Sequence, residues 1–566
     1  MLGMWRDKND IGSPGLLWDY IFVGGGLSAS VTSNRLLRHD PALRILVVEA
    51  GADASNDQSI VYPNSTNLIG GEYDWKYKTV PQVHLDGRQI DLPCGKGLGG
   101  GTVINSGGWS RGARRDYDLW AETVGEHRWS YDGLLPYFRE TERVANASVN
   151  PEQHGTQGPV SVQGVVSTNR EYPLREKVLD SWKAIGIDML PCLDGNAGEP
   201  NGVGDLFENR HEGRRQIASV VYPLDGISVL TDTLVAKVLL EPDADADRPQ
   251  RAVGIQLGNG TEVRGREVIL SAGAVRTPQI LMLSGIGPPS ELAKHGIIAK
   301  VDAPDVGRHL ADHGLFRVMW KLKDPSAGHA LGSDNPLFSE TRHGWGTPSD
   351  FLVSAGVSDK DGLARAIEED EGCKPDPETH PLLSQDRTFN EYILLYAGLP
   401  DGSTISTARI NLLPTSRGTV KLASADVKDA PLIDPNYHAT AVDRFVARDG
   451  MRRLLALTEG QTPLGRDVLA GDAGAPGFDK VFTTDSTDEY IEKRFAAGLG
   501  STYHPMGTAA MGKVVDAELR VKGVAGLRVV DTSVFPVAIT AHLQVATYAM
   551  ANLAADIIYE ERKCRN

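Results

Sequence analysis

Residues Asp19-Tyr20-Ile21-Phe22-Val23-Gly24-Gly25-Gly26-Leu27-Ser28-Ala29 pass from a short β-rich run through a glycine turn into a helix-compatible stretch lasting to Arg38. A second apolar run, Ile45-Leu46-Val47-Val48, then ends in Glu49. The pattern is G-x-G-x-x-A. Gly24 permits a tight turn, Gly26 lets backbone approach a pyrophosphate, and Ala29 allows helix and strand to pack closely. The helix start, at Leu27 and Ser28, offers free N–H groups and the positive dipole end to phosphate. Glu49 lies where an acid accepts hydrogen bonds from an adenosine ribose. Strand, turn, helix, strand and acid in this order predict a βαβ unit that holds a dinucleotide, without separating NAD from FAD.

The rest of the chain sets bounds around that unit. With 566 residues it has room for more than one domain and for a large core that needs no disulfides. Hydrophobic residues at 41% and charged residues at 23% exclude a mainly disordered chain. Lys and Arg total 58 against 74 Asp and Glu, and the net charge of -16 disfavours nucleic acid and anionic membrane as partners. No run of eighteen apolar residues is present, so no membrane-spanning helix is expected. The four cysteines are scattered without metal-ligand spacing, so no metal site is expected and a reducing compartment is. The opening residues lack the apolar stretch of a signal peptide, which gives a cytoplasmic expectation, with secretion left open if a leader has been removed.

Three more segments are rich in glycine. Cys94-Gly95-Lys96-Gly97-Leu98-Gly99-Gly100-Gly101-Thr102-Val103-Ile104-Asn105 implies backbone laid against a flat or anionic ligand. Gly273 to Gly287 follows the strand Glu267-Val268-Ile269-Leu270, with Thr277-Pro278 as a helix-start signal. Ser501-Thr502-Tyr503-His504-Pro505-Met506-Gly507-Thr508 precedes Gly526-Leu527-Arg528-Val529-Val530-Asp531. Together these segments resemble the glucose–methanol–choline (GMC) oxidoreductases, which are FAD enzymes, from about Asp19 to Ile558. The stretches GKGLGGGTVINSGGWSRG, LVAKVLL and STYHPMGTAAM are most similar to the fungal glucose oxidase, glucose dehydrogenase and secondary-metabolism branch.

The resemblance implies an α/β, Rossmann-like FAD-binding domain plus an α+β substrate domain with an antiparallel sheet. Residues 17–310 would be mainly FAD-binding, with part of the substrate domain at about 70–220. Residues 311–500 would be mainly substrate-binding, and 501–566 would complete the FAD domain and carry the catalytic histidines. The strand-like pieces Ala408–Leu413 and Gly418–Leu422 fit the substrate sheet, and residues 355–384 and 470–478 read as loops or lids. Gly24, Gly26, Leu27, Ser28 and Glu49 would hold the adenosine diphosphate half, with Val235 at the adenine. Gly99, Gly101, Asn105, Ser106 and Gly108 would run along the flavin, with Leu543 and Gln544 beside it. Asp531 would sit by the ribityl and pyrophosphate groups. Where some members attach the flavin covalently through a histidine, this chain has Ile104, so FAD would be non-covalent.

His504 and His542 stand in the family's motifs and are the expected catalytic pair. Alcohol oxidation needs a base for the hydroxyl proton while hydride leaves the carbinol carbon, and imidazole titrates near operating pH. His504 would be the base and His542 would stabilise the developing alkoxide. From Leu543 to Ile557 apolar residues recur at helical spacing, so one face of a C-terminal helix would be buried and its positive end would face the flavin. Gly500, Thr502 and Thr415 replace an arginine, an asparagine and an aromatic that contact sugar in glucose oxidases, which makes glucose a poor candidate. The expected reaction is FAD-dependent oxidation of a primary alcohol to an aldehyde on a small aromatic or polyketide-type molecule, with oxygen or another oxidant as acceptor. The alternative is redox-neutral lyase or cyclase chemistry, as in hydroxynitrile lyases and versicolorin B synthase.

Overall fold

A computed structural model describes residues 13, 15–61, 68–145, 149–245 and 247–565. The opening residues on which the leader reading rests lie almost wholly outside that range.

Two sheets organise the chain. The first has eight strands, and its parallel core runs Ser228–Leu230, Ile45–Val48, Trp18–Val23, Glu262–Leu270 and Leu527–Val529. An antiparallel flank, Gln250–Leu257 and Val235–Pro242, continues from Glu262–Leu270. The central strands are buried on both faces, as a parallel sheet covered by helices requires, and so read as continuous apolar runs. The helix Leu27–His39 packs on the C-terminal helix Gln544–Arg565, with the Thr32 hydroxyl donating to the Ala551 carbonyl at 3.0 Å and Arg35 pairing with Asp556.

The second sheet has seven strands in antiparallel array: Leu469–Asp472, Gly314–Leu322, Thr404–Asn411, Asn390–Leu395, Phe351–Ala355 and Gly202–Asp205, with Gly500–Ser501 paired to Gly314–Leu322. Burial alternates strictly along Gly314–Leu322. Phe316, Val318 and Trp320 face a core shared with Met451, Leu454 and Leu455 of the helix Ala441–Thr458, while Leu315, Arg317 and Met319 point the other way. That second face forms one wall of the cavity described below.

Four expectations are corrected. Residues 355–384 are not all loop, because Lys360–Glu371 is a helix whose N-terminus is capped by Asp359, its carboxylate accepting from the Gly362 N–H at 2.8 Å. Gly418–Lys421 lies in a separate three-stranded sheet with Arg308–Leu310 and Leu432–Asp434. The helix after Leu270 begins at Gly273, so Pro278 sits inside it rather than at its start. The Ala274 carbonyl that a proline N cannot serve accepts instead from the Thr508 hydroxyl at 2.7 Å. The C-terminal helix is buried nearly all round through Ala555, not along one stripe.

Candidate active site

A cavity of about 1040 Å³ runs from the first glycine turn to the open face of the seven-stranded sheet. Its inner end is shaped by backbones in contact. Gly24 has φ +92°, and a Cβ there would lie 2.5 Å from the Ser271 carbonyl oxygen. A Cβ on Gly100 would lie 2.7 Å from the Gly26 Cα, so the two glycine turns stack without side chains between them. Glu49 accepts from the N–H groups of Gly25 (2.7 Å) and Gly51 (2.8 Å). Burial pushes its carboxyl up to about 7 against the lowering effect of those bonds. Asp531 accepts from the Gly273 N–H (2.9 Å), the Thr277 hydroxyl (2.6 Å) and the Ser533 N–H (2.8 Å), which fixes the start of the helix beside it.

Gly24, Gly26, Leu27, Ser28, Glu49, Val235 and Asp531 all border this end of the cavity, and Gly101, Asn105, Ser106, Gly108, Leu543 and Gln544 border its middle. Gly99 does not. Its N–H donates to the Gly25 carbonyl at 2.8 Å and its Cα abuts Ile217, so it holds the two glycine turns together from behind. The middle segment is pinned by Arg215, which stands in no recognisable motif. Its Nη1 donates to the carbonyls of Thr102 (3.1 Å) and Asn105 (2.5 Å) and to Asn105 Oδ1 (2.9 Å), and burial lowers the guanidinium to about 9. Asn105 Nδ2 donates to Gln544 Oε1 at 3.3 Å, and Gln544 Nε2 to the Gly108 carbonyl at 2.5 Å. A side-chain-free cradle, an acid at its far end and an apolar Ile104 along its length fit a long, flat dinucleotide such as FAD.

At the boundary between this cradle and the sheet stand three histidines. The rings of His504 and His542 are perpendicular with centroids 5.0 Å apart, and His313 stands perpendicular to His504 at 5.1 Å. The main chain around His504 is set by the buried Asp312, which accepts from the His504 N–H at 2.7 Å and from the hydroxyls of Tyr437 and Ser501. His504 Nδ1 lies 3.0 Å from His313 Nδ1. The His542 N–H donates to the Ser110 hydroxyl at 2.8 Å, and His542 Nε2 lies 2.9 Å from Glu391 Oε1.

These surroundings split the two imidazoles. Burial holds His504 well below the usual histidine range, and the nearby charge of His542 and then His313 add to that. His313, wholly buried, falls to about 3. Burial works against a charge on His542 as well, but the Glu391 carboxylate outweighs it and the net shift is upward. Burial thus favours the neutral form of His504, a proton acceptor, while Glu391 favours the protonated form of its neighbour His542. Sequence reasoning found the pair but missed Glu391, on a strand of the other sheet, and His313, just before the strand Gly314–Leu322, neither of which has a local motif. Of the positions tied to sugar binding, Thr502 lines the cavity. Thr415 is instead bound to Asp443 and Thr440 and does not border it, and neither does Gly500.

Comparison with known proteins places this site in a family. The GMC oxidoreductase N-terminal family model matches residues 18–315 and the C-terminal one residues 414–551. The GMC-type oxidoreductase acuG of Aspergillus aculeatus is 35% identical over 96% of this chain and 99% of its own length. The alcohol dehydrogenase [acceptor] of Pseudomonas putida is 31% identical over 96% of each. Versicolorin B synthase stcN of Emericella nidulans is 30% identical over 97% of this chain and 90% of its own. A solved structure of formate oxidase from Aspergillus oryzae, an FAD protein, superposes with a TM-score of 0.84 at 26% identity, over 97% of this chain and 99% of that one.

Proposed function

We propose a specific alcohol oxidation for this chain, which belongs to the GMC oxidoreductase family and so is an FAD-dependent oxidoreductase acting on CH–OH groups. The reaction is the conversion of a primary alcohol to an aldehyde, with His504 as the base. The substrate is a small, largely apolar molecule of the aromatic or polyketide-derived kind. The observation that carries this reading is the buried His504 ring standing perpendicular to His542, whose Nε2 lies 2.9 Å from the Glu391 carboxylate, at the mouth of a dinucleotide cradle.

FAD, when bound, supplies the hydride acceptor. His504 accepts the hydroxyl proton. Its Nδ1 is engaged with His313, so Nε2 is the face left for substrate, and it carries a bare lone pair when His504 is the donor in that bond. His313 is thus a positioning residue that sets the tautomer. His542 directs Nε2–H to Glu391 and keeps Nδ1–H for the oxygen on which negative charge develops. The pair divides the work by charge, because a neutral imidazole can take a proton and a cation can stabilise an alkoxide. The sheet face that continues the cavity, with Leu315, Met319, Ile393, Leu395, Ala408 and Ile410, suits an apolar body and offers a polyhydroxy sugar little to bond.

The test is anaerobic mixing of the FAD-loaded protein with a panel of primary alcohols, read by bleaching of the flavin colour. Benzyl-type alcohols are expected to bleach it and glucose to do so far less efficiently. The similarity to versicolorin B synthase favours a second reading, redox-neutral cyclisation. Substrate consumed with the colour unchanged would establish that reading in place of the first.

A further inference from the structure

The open face of the seven-stranded sheet is laid out in rows that lead outward from the histidines. The first row is Glu391, Ile410 and Leu315, joined by the register pairs of the three central strands, and its Glu391 holds His542. The second row is Ile393, Ala408 and Arg317, and the third is Leu395, Ser406 and Met319. Beyond Glu391, which is committed to His542, Arg317 is the one charged side chain in these rows. It lines the cavity, is exposed within it, and makes no hydrogen bond or ion pair with any described residue. Its charge is felt at the half-exposed phenol of Tyr503, which also lines the cavity.

An unpaired guanidinium in an apolar wall discriminates between ligands. An uncharged molecule filling the cavity would strip water from Arg317 and leave its charge without a partner, which is costly. A carboxylate would meet it through two parallel N–H···O bonds, the geometry for which the planar fork is suited. Rows two residues apart along a strand are separated by about 6.8 Å. A carboxylate on Arg317 therefore belongs to a molecule whose far end, one row inward, presents its carbinol to His504 and His542. That span corresponds to a single ring substituted at opposite ends.

From this we infer that Arg317 is the anion-binding subsite of the substrate pocket and that the alcohol oxidised carries a carboxylate opposite its carbinol. The inference rests on the alcohol-oxidation reading for its substrate but not for the subsite itself. The first experiment is therefore binding without turnover. In the FAD-loaded protein, 4-methylbenzoate and its neutral analogue 4-methylbenzamide are titrated against the visible flavin spectrum. The carboxylate is expected to bind about 10–100-fold more tightly than the amide, the range for a charge-assisted pair. The preference should shrink as salt rises. Arg317→Leu and Arg317→Gln should abolish it and Arg317→Lys retain part of it, at matched FAD content. The second experiment compares kcat/KM for 4-(hydroxymethyl)benzoate and 4-(hydroxymethyl)benzamide, and the ratio of the two is expected to fall by the same factor in Arg317→Leu. Equal affinity for acid and amide in the wild type, or a preference that survives Arg317→Leu, overturns the subsite. A preference that depends on Arg317 in a protein whose flavin neither alcohol bleaches leaves the subsite standing and overturns the alcohol reading.

Discussion

Replacing Glu391 by Gln tests the charge division between the histidines with the least change of shape. The amide can still accept from His542 Nε2–H, but the carboxylate 2.9 Å away is gone. Glu391 is buried, at 1% exposure, and His542 is partly buried. Unit charges about 4 Å apart attract by about 4 kcal/mol at an effective dielectric of about 20. At about 1.4 kcal/mol per decade this caps the loss at roughly a thousandfold. Without the carboxylate the His542 pKa should fall and the neutral ring gain population. Flavin reduction by an alcohol, followed by anaerobic rapid mixing, should then slow by about 10–10³-fold at pH 7. The sign of the pH response is the sharper test. Glu391→Gln should need a lower pH than wild type to protonate His542, so its rate should fall off at a lower pH as pH rises, because the carboxylate raises the wild-type His542 pKa. If the variant stays within threefold of wild type and the two profiles run parallel from pH 5.5 to 8.5, the carboxylate does not charge His542 and the proposed division of work is wrong.

His504→Ala should bind FAD yet reduce it about 10²–10⁴-fold more slowly, with partial recovery at higher pH as the substrate oxygen ionises, measured by the same rapid mixing. Acid precipitation should release all FAD to the supernatant, because Ile104 lines the cradle where a covalent attachment would need a nucleophile; colour left in the pellet would contradict this. Stability should also decline in mild acid. His504, His313 (about 3) and His438 (about 4) are kept neutral when folded but bind protons near pH 6.5 when unfolded. Each costs about 1.4 kcal/mol per pH unit as pH falls below about 6.5, until its folded pKa is reached. Glu49, raised to about 7, partly offsets this because it takes up its proton in the folded form first. Denaturant midpoints at pH 6.5 and 5 would show the loss, and equal midpoints would count against buried neutral histidines.

What could be read from the sequence was local. The βαβ unit announced itself because Gly24, Gly26, Ala29 and Glu49 act within one stretch of about thirty residues, where turn sterics and strand periodicity are both visible. His504 and His542 could be chosen because each stands in a motif of its own. Glu391 and His313 could not, since what defines them is a sheet register and a ring contact between segments far apart in the chain. Pro278 was misjudged because its cost is met by Thr508, more than two hundred residues away. Thr415 and Gly99 show the opposite error, in which a position beside a binding motif faces away from the ligand. The helix Lys360–Glu371 was hidden by the polar and glycine-rich residues on either side, although Asp359 was an available cap signal.

The eight-stranded sheet closes with strands taken from both ends of the chain: Trp18–Val23 pairs with Glu262–Leu270, which pairs in turn with Leu527–Val529. The helix Leu27–His39, made early, finds its main packing partner in Gln544–Arg565, some five hundred residues later in the chain. A ribosome that adds about 5–20 residues per second therefore leaves the face of Leu27–His39 that meets Gln544–Arg565 without its partner for tens of seconds. Pairings this distant in sequence are also slow to form once available. Asp531 and the Leu543–Gln544 edge of the cradle come from the same late segment. A complete cradle for the cofactor thus waits on synthesis of that late segment.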